Sequence, residues 1–121
     1  MYFLDTYTLI EIADGNKNYD PYLEADAITL YCNLGELYFF LLKKYNQQTA
    51  DYFQKRFAPY AVDISADIIP AAMLFRFNQK KQKKSFSYID CFGYHFALHH
   101  SHIFVTGDRA FESMEQVEVV R

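Results

Sequence analysis

Apolar residues fall into short runs and helix-spaced stripes that alternate along the chain, separated by polar or Gly- and Pro-containing breaks. Tyr2–Leu4 is a brief apolar run ending at Asp5, which predicts a buried strand. Leu9, Ile10 and Ala13 then recur at helical spacing, predicting a helix over 6–13 that Gly15-Asn16 stops. Residues 16–26 are polar and contain Pro21, so a loop with one helical turn is expected there. Ala27–Thr29 reads as a second strand, and a long helix comes next over 32–45 with Leu34, Leu37, Tyr38, Leu41 and Leu42 on one stripe. A helix over 47–57 is closed by Pro59, and 60–64 is short and β-prone. Ser65 is the expected cap of a helix reaching 79, with Pro70 disturbing its start. The run 79–84 is a solvated helix end or loop, and Ser87 caps a helix over 88–100. Strands at 103–106 and 117–120 complete the chain, with Gly107-Asp108 as a turn between them.

Strand and helix in repeated alternation predict an α/β fold, a mostly parallel sheet covered on both faces. There is no internal repeat, and 121 residues are the measure of one domain, 1–121. The formal net charge of −3 argues against a surface that grips nucleic acid throughout. Any contact with RNA must use a local basic patch or bound cations. Cys32 and Cys91 stand in apolar stretches and read as reduced thiols of an intracellular protein. The opening Met1–Asp5 lacks the basic region of a signal peptide, and no apolar run approaches the ~20 residues of a membrane span, so a cytoplasmic location is expected.

Against this pattern, four carboxylates stand out. Glu36 is the only charged residue between Leu30 and Leu42, on a helix apolar nearly all round and so expected to be largely buried. A carboxylate there costs several kcal/mol unless it is neutral, paired or facing a cation, and Gly35 beside it would let something approach closely. A narrow exposed strip carrying Glu36 is the competing reading. Asp5 and Asp108 each stand just beyond the carboxyl end of a predicted buried strand. If those strands are neighbours where strand order reverses, the two aspartates face each other across the crevice. Each also suits the plainer role of capping the next helical segment. Asp90 lies in the first turn of its helix, which favours an acid, yet its apolar flanks aim it inward. Convergence of four acids would require a counter-charge, and oxygen-only ligands favour Mg²⁺ or Mn²⁺. Such ions over carboxylates equip a site for phosphoryl chemistry.

These residues carry a resemblance to the PIN domain family, and within it to the VapC toxins of toxin–antitoxin pairs. Leu4-Asp5-Thr6 resembles the first PIN motif, and Ala27-Ile28-Thr29 with Leu34-Gly35-Glu36-Leu37 the second. Ser87-Tyr88-Ile89-Asp90 with Ala97 downstream resembles the third, and Val105-Thr106-Gly107-Asp108-Arg109-Ala110-Phe111 the fourth. The resemblance covers the whole chain. It implies a three-layer α/β/α sandwich with a five-stranded sheet and a Mg²⁺- or Mn²⁺-dependent endoribonuclease site. By that analogy Asp5, Glu36, Asp90 and Asp108 are the catalytic metal ligands, supported by Thr6 and by Thr106, whose hydroxyl orients the cluster. Tyr7 stands where members of the family often carry Asn, which removes one polar contact from the pattern. The resemblance also implies an RNA substrate, a homodimer and an antitoxin protein as partner. The rival reading is a non-catalytic PIN-like module that docks RNA or a protein without cutting.

Lys80, Lys81, Lys83 and Lys84 are candidate RNA-phosphate contacts, with a merely solvated run as the alternative. His95 and His99 have a zinc-compatible spacing, but no further ligand is obviously placed to complete a site.

Overall fold

The computed structural model describes residues 1–121. Strands β1 (Tyr2–Leu4), β2 (Ala27–Leu30), β3 (Ala61–Val62), β4 (Ile103–Thr106) and β5 (Val117–Val119) form a parallel sheet in the order β3-β2-β1-β4-β5. The helices are α1 (Thr6–Ala13), α2 (Asp20–Glu24), α3 (Tyr31–Lys44), α4 (Gln47–Phe57), α5 (Ile68–Lys81) and α6 (Tyr88–His99). The chain steps outward from β1 to β2 and β3, then returns to lay β4 against the other side of β1. Strand order therefore reverses between β1 and β4, where Leu4 pairs with Val105.

Alternation along the strands divides the interior into two cores. Leu4 and Val105 point to one face, packing with Leu9 of α1, Leu34, Leu37 and Leu41 of α3, and Phe57 of α4. Phe3 and Phe104 point to the other, against Ala72 of α5 and Cys91, Tyr94 and Ala97 of α6. This second core is markedly aromatic: Phe3 stacks on Phe104 with centroids 5.6 Å apart, and Phe111 lies 4.9 Å from Phe104. Gly93 lets α6 approach so closely, since a Cβ there would sit 2.8 Å from Phe3 Cε1.

Two buried threonines secure the carboxyl ends of the central strands. The Thr29 hydroxyl donates to the Leu4 carbonyl at 2.7 Å, and the Thr8 hydroxyl to the Val105 carbonyl at 2.8 Å. Both satisfy main-chain acceptors inside the protein, where an unpaired one is costly.

Three local expectations are corrected. Residues 16–26 are more helical than a loop with one turn: a 3₁₀ turn at Lys17–Tyr19 leads into α2, with Pro21 in the first turn, where its missing N–H is no loss. Ser65 does not cap α5; its carbonyl accepts the Ile68 N–H at 3.2 Å, and α5 runs on to Lys81 with Pro70 accommodated in its first turn. Helix α3 is not buried all round, because Tyr31, Phe39 and Leu42 are exposed. One face meets the sheet and α4; the opposite face is apolar but open. Gly35 is exposed too, with no atom near enough to touch an added Cβ, so nothing within this chain approaches it. Cys32 and Cys91 are free thiols, and no helix is long and apolar enough to cross a membrane.

Candidate active site

A cleft of about 410 Å³ opens beside the carboxyl ends of β1 and β4, and Asp5, Glu36, Asp90 and Asp108 all line it. The fold delivers each by a different route. Asp5 ends β1 and caps α1, its Oδ1 accepting the Thr8 N–H at 2.8 Å. Asp108 lies just beyond β4 and caps a 3₁₀ turn, its Oδ1 accepting the Ala110 N–H at 2.9 Å. Capping and a place in the crevice thus coexist in both aspartates. Asp90 closes a capping box at the start of α6: it accepts the Ser87 N–H, and Ser87 Oγ accepts the Asp90 N–H, each at 3.0 Å. Glu36 reaches the cleft half-buried from α3.

Burial separates these acids electrostatically. Asp5 is only 3% exposed, and its carboxyl is pushed up to about 7, mainly by desolvation. Hydrogen bonds from Thr106 and Thr8 resist that rise, while the charge of Asp90 adds to it. The Asp90 carboxyl is also raised by burial, against its bonds to Ser87, with repulsion from Asp108 in the same direction. These groups bear on one another, and a cation would relieve the strain among them. The oxygen-only donor set suits Mg²⁺ or Mn²⁺. As placed, however, no three His, Cys, Asp or Glu side chains in the chain stand close enough to hold one ion. The acids share a cleft without closing on a point.

Thr6 lines the cleft and its hydroxyl accepts from Asn33 Nδ2 at 3.0 Å. Thr106 is fully buried behind it, where its Oγ1 accepts the Asp108 N–H at 3.0 Å. The lysine run divides: Lys80, Lys83 and Lys84 line a separate groove of about 250 Å³, whereas the Lys81 ammonium sits 4.5 Å over the Phe77 ring. His95 and His99 share a different shallow cavity, outside any metal-binding group.

Other residues of the cleft were not singled out from the sequence as functional. Ile10, Phe39 and Phe40 form an apolar wall, and Lys43 is the one basic side chain in the lining. Helical spacing carries that signal: Phe39, Phe40 and Lys43 come three, four and seven positions after Glu36, and Ile10 four after Thr6. Asn33, buried on α3 with its Oδ1 unpartnered, had no such signal. Tyr7 lies at the cleft beside Gly107, where any Cβ would collide with the ring of Tyr7 and the hydroxyl of Tyr19.

A parallel α/β/α sandwich with acids gathered at its switch point defines a class of domain whose chemistry lies outside the strand ends. The PIN domain family model matches residues 2–117, and the chain belongs to that family. Similar solved structures include VapBC2 from Rickettsia felis bound to a promoter DNA fragment, at 16% identity and TM-score 0.81, covering 99% of this chain and 98% of that one. VapC20 of Mycobacterium tuberculosis, described as a sarcin–ricin loop cleaving toxin, aligns at 16% identity and TM-score 0.77 over 100% of both chains. A toxin–antitoxin complex from Klebsiella pneumoniae matches at 20% identity and TM-score 0.75, covering 98% of this chain and 97% of that one. The sequence has no significant match among curated proteins.

Proposed function

We propose that this protein is a Mg²⁺- or Mn²⁺-dependent endoribonuclease, hydrolysing RNA phosphodiester bonds as the toxin of a toxin–antitoxin pair. The observation that carries the reading is the meeting of Asp5, Glu36, Asp90 and Asp108 in one cleft of a PIN domain. In this reading the four carboxylates would draw together around the ion, while Thr106 holds the Asp108 backbone and Thr6 ties α1 to Asn33 of α3. When bound, such an ion would supply Lewis-acid activation of water and charge stabilisation at the phosphate. Lys43, at the same cleft, offers a positive charge to the anionic substrate. Ile10, Phe39 and Phe40 give the cleft one apolar side, which a bound substrate would cover, strengthening the charge interactions beneath it. The exposed Phe39 and Leu42 give an antitoxin an apolar strip to cover beside the cleft, and we extend the proposal to that partner and to a homodimer.

A PIN-like module that binds without cutting is the second reading, favoured by the spread of the four acids. Cleavage of a panel of structured and single-stranded RNAs in Mn²⁺, Mg²⁺ and EDTA separates the two. Metal-dependent cutting lost in Asp5→Asn is expected. A folded protein that binds Mn²⁺ but cuts nothing in the panel would establish the module instead.

A further inference from the structure

Resting on the nuclease reading, we propose that the groove formed by Arg76, Lys80, Lys83, Lys84, Ser85 and Phe86 binds the phosphate backbone of single-stranded RNA leading into the acidic cleft. Four cationic side chains and no carboxylate line this groove, on a chain whose formal net charge is −3. The positive charge is therefore concentrated where a polyanion can use it. Groove and cleft are lined by successive residues of the same segment. Ser85 and Phe86 line the groove, while Ser87 and Asp90 line the cleft, so one short strip of chain is the wall of both. Arg76 braces that strip: its Nε donates to the Phe86 carbonyl at 3.0 Å, and its guanidinium lies 4.2 Å from the Tyr88 ring centroid.

The backbone makes a second, independent contribution. Helix α5 ends in a Schellman turn, with the Lys84 N–H donating to the Gln79 carbonyl and the Lys83 N–H to the Lys80 carbonyl, each at 3.0 Å. Lys83 occupies the left-handed position of that turn, at φ 63°, where glycine is favoured. Lysine adopts this conformation at a cost, and its side chain lines the groove. Lys81 belongs to the same basic run but is turned away over Phe77, which makes it the internal control.

The test is binding of a fluorescein-labelled oligouridylate to the whole protein in EDTA, by anisotropy across a salt series. Lys80→Ala/Lys83→Ala/Lys84→Ala is expected to weaken binding at least about tenfold and to lower the log–log salt slope by about 2, at ~0.7 per phosphate contact. Lys81→Ala should bind as the parent does. Lys83→Gly should weaken binding while leaving the melting temperature unchanged or higher. Equal binding by parent and triple variant overturns the groove, as does no binding by the parent. So does a triple variant that loses only a polyglutamate peptide and keeps RNA, since the groove would then serve an acidic protein partner. The nuclease reading fails separately: a parent that binds RNA through these lysines but never cuts in Mn²⁺ or Mg²⁺ retains the groove and loses the hydrolase.

Discussion

The buried hydroxyl of Thr106 accepts the backbone N–H of Asp108 at 3.0 Å, tying the end of β4 to the aspartate just beyond it. The same hydroxyl favours the ionised form of the Asp5 carboxyl, against burial. Thr106→Val keeps the shape and removes the hydroxyl, and with it both effects. Stability should fall by about 1–3 kcal/mol in a denaturant titration, the cost of stranding buried polar groups. The Asp5 carboxyl should titrate higher still, which NMR of the side-chain carboxyl would read directly. An unchanged titration would mean that Thr106 does not govern Asp5.

The pH dependence of the metal-free protein is set by the same acid. Asp5 is raised from 3.8 to about 7, so between those values the folded state binds a proton that the unfolded chain has released. Stability from this group is then full below about pH 4 and is lost as pH rises toward about 7, by at most about 4 kcal/mol. Asp5→Asn keeps an amide able to cap α1 and should flatten that dependence. Thermal unfolding from pH 4 to 8 in EDTA would expose a wrong sign at once.

Metal should reverse the penalty. At about 100 times its dissociation constant, an ion that binds only the folded state adds about 2.7 kcal/mol. Mn²⁺ is expected to raise the melting temperature of the wild type at pH 7.5, and to raise it far less in Asp5→Asn. An equal rise in both proteins would move the ion elsewhere.

Gly107→Ala places a methyl group against the Tyr7 ring and the Tyr19 hydroxyl. Overpacking of this kind costs about 1–3 kcal/mol. Because Tyr7 lines the cleft, the substitution should also impair cleavage. Tyr7→Ala combined with Gly107→Ala should recover part of the stability, and a purely additive loss would refute the clash.

The capping box of α6 offers a test of local stability. Ser87→Ala removes the acceptor for the Asp90 N–H and should cost about 1 kcal/mol in chemical denaturation.

Much of this molecule is written in local pattern. The strands at Tyr2–Leu4 and Ile103–Thr106, the helix over Gln47–Phe57 and the Ser87 cap arise from apolar spacing and cap chemistry acting within a few residues. The four acids are recognisable because each stands at the end of, or within, an apolar stretch. Where neighbours far along the chain determine the outcome, local pattern says less. Helix α3 is apolar on every side, and periodicity alone cannot tell which side the sheet leaves uncovered. Asn33 looks like any polar helix residue until α1 brings Thr6 within 3.0 Å of it.

By itself, then, the chain's sequence determines its alternating elements, its acidic residues and its lysine run, because hydrophobic periodicity and capping are short-range. Strand order belongs to the folded molecule. Only the return of β4 to the side of β1 brings residues 5, 36, 90 and 108 to one cleft, and only the folded end of α5 and its turn put Lys80, Lys83 and Lys84 in one groove while Lys81 lies over Phe77. Those outcomes depend on which faces can be buried together, a property of packing across the whole chain that no single segment encodes.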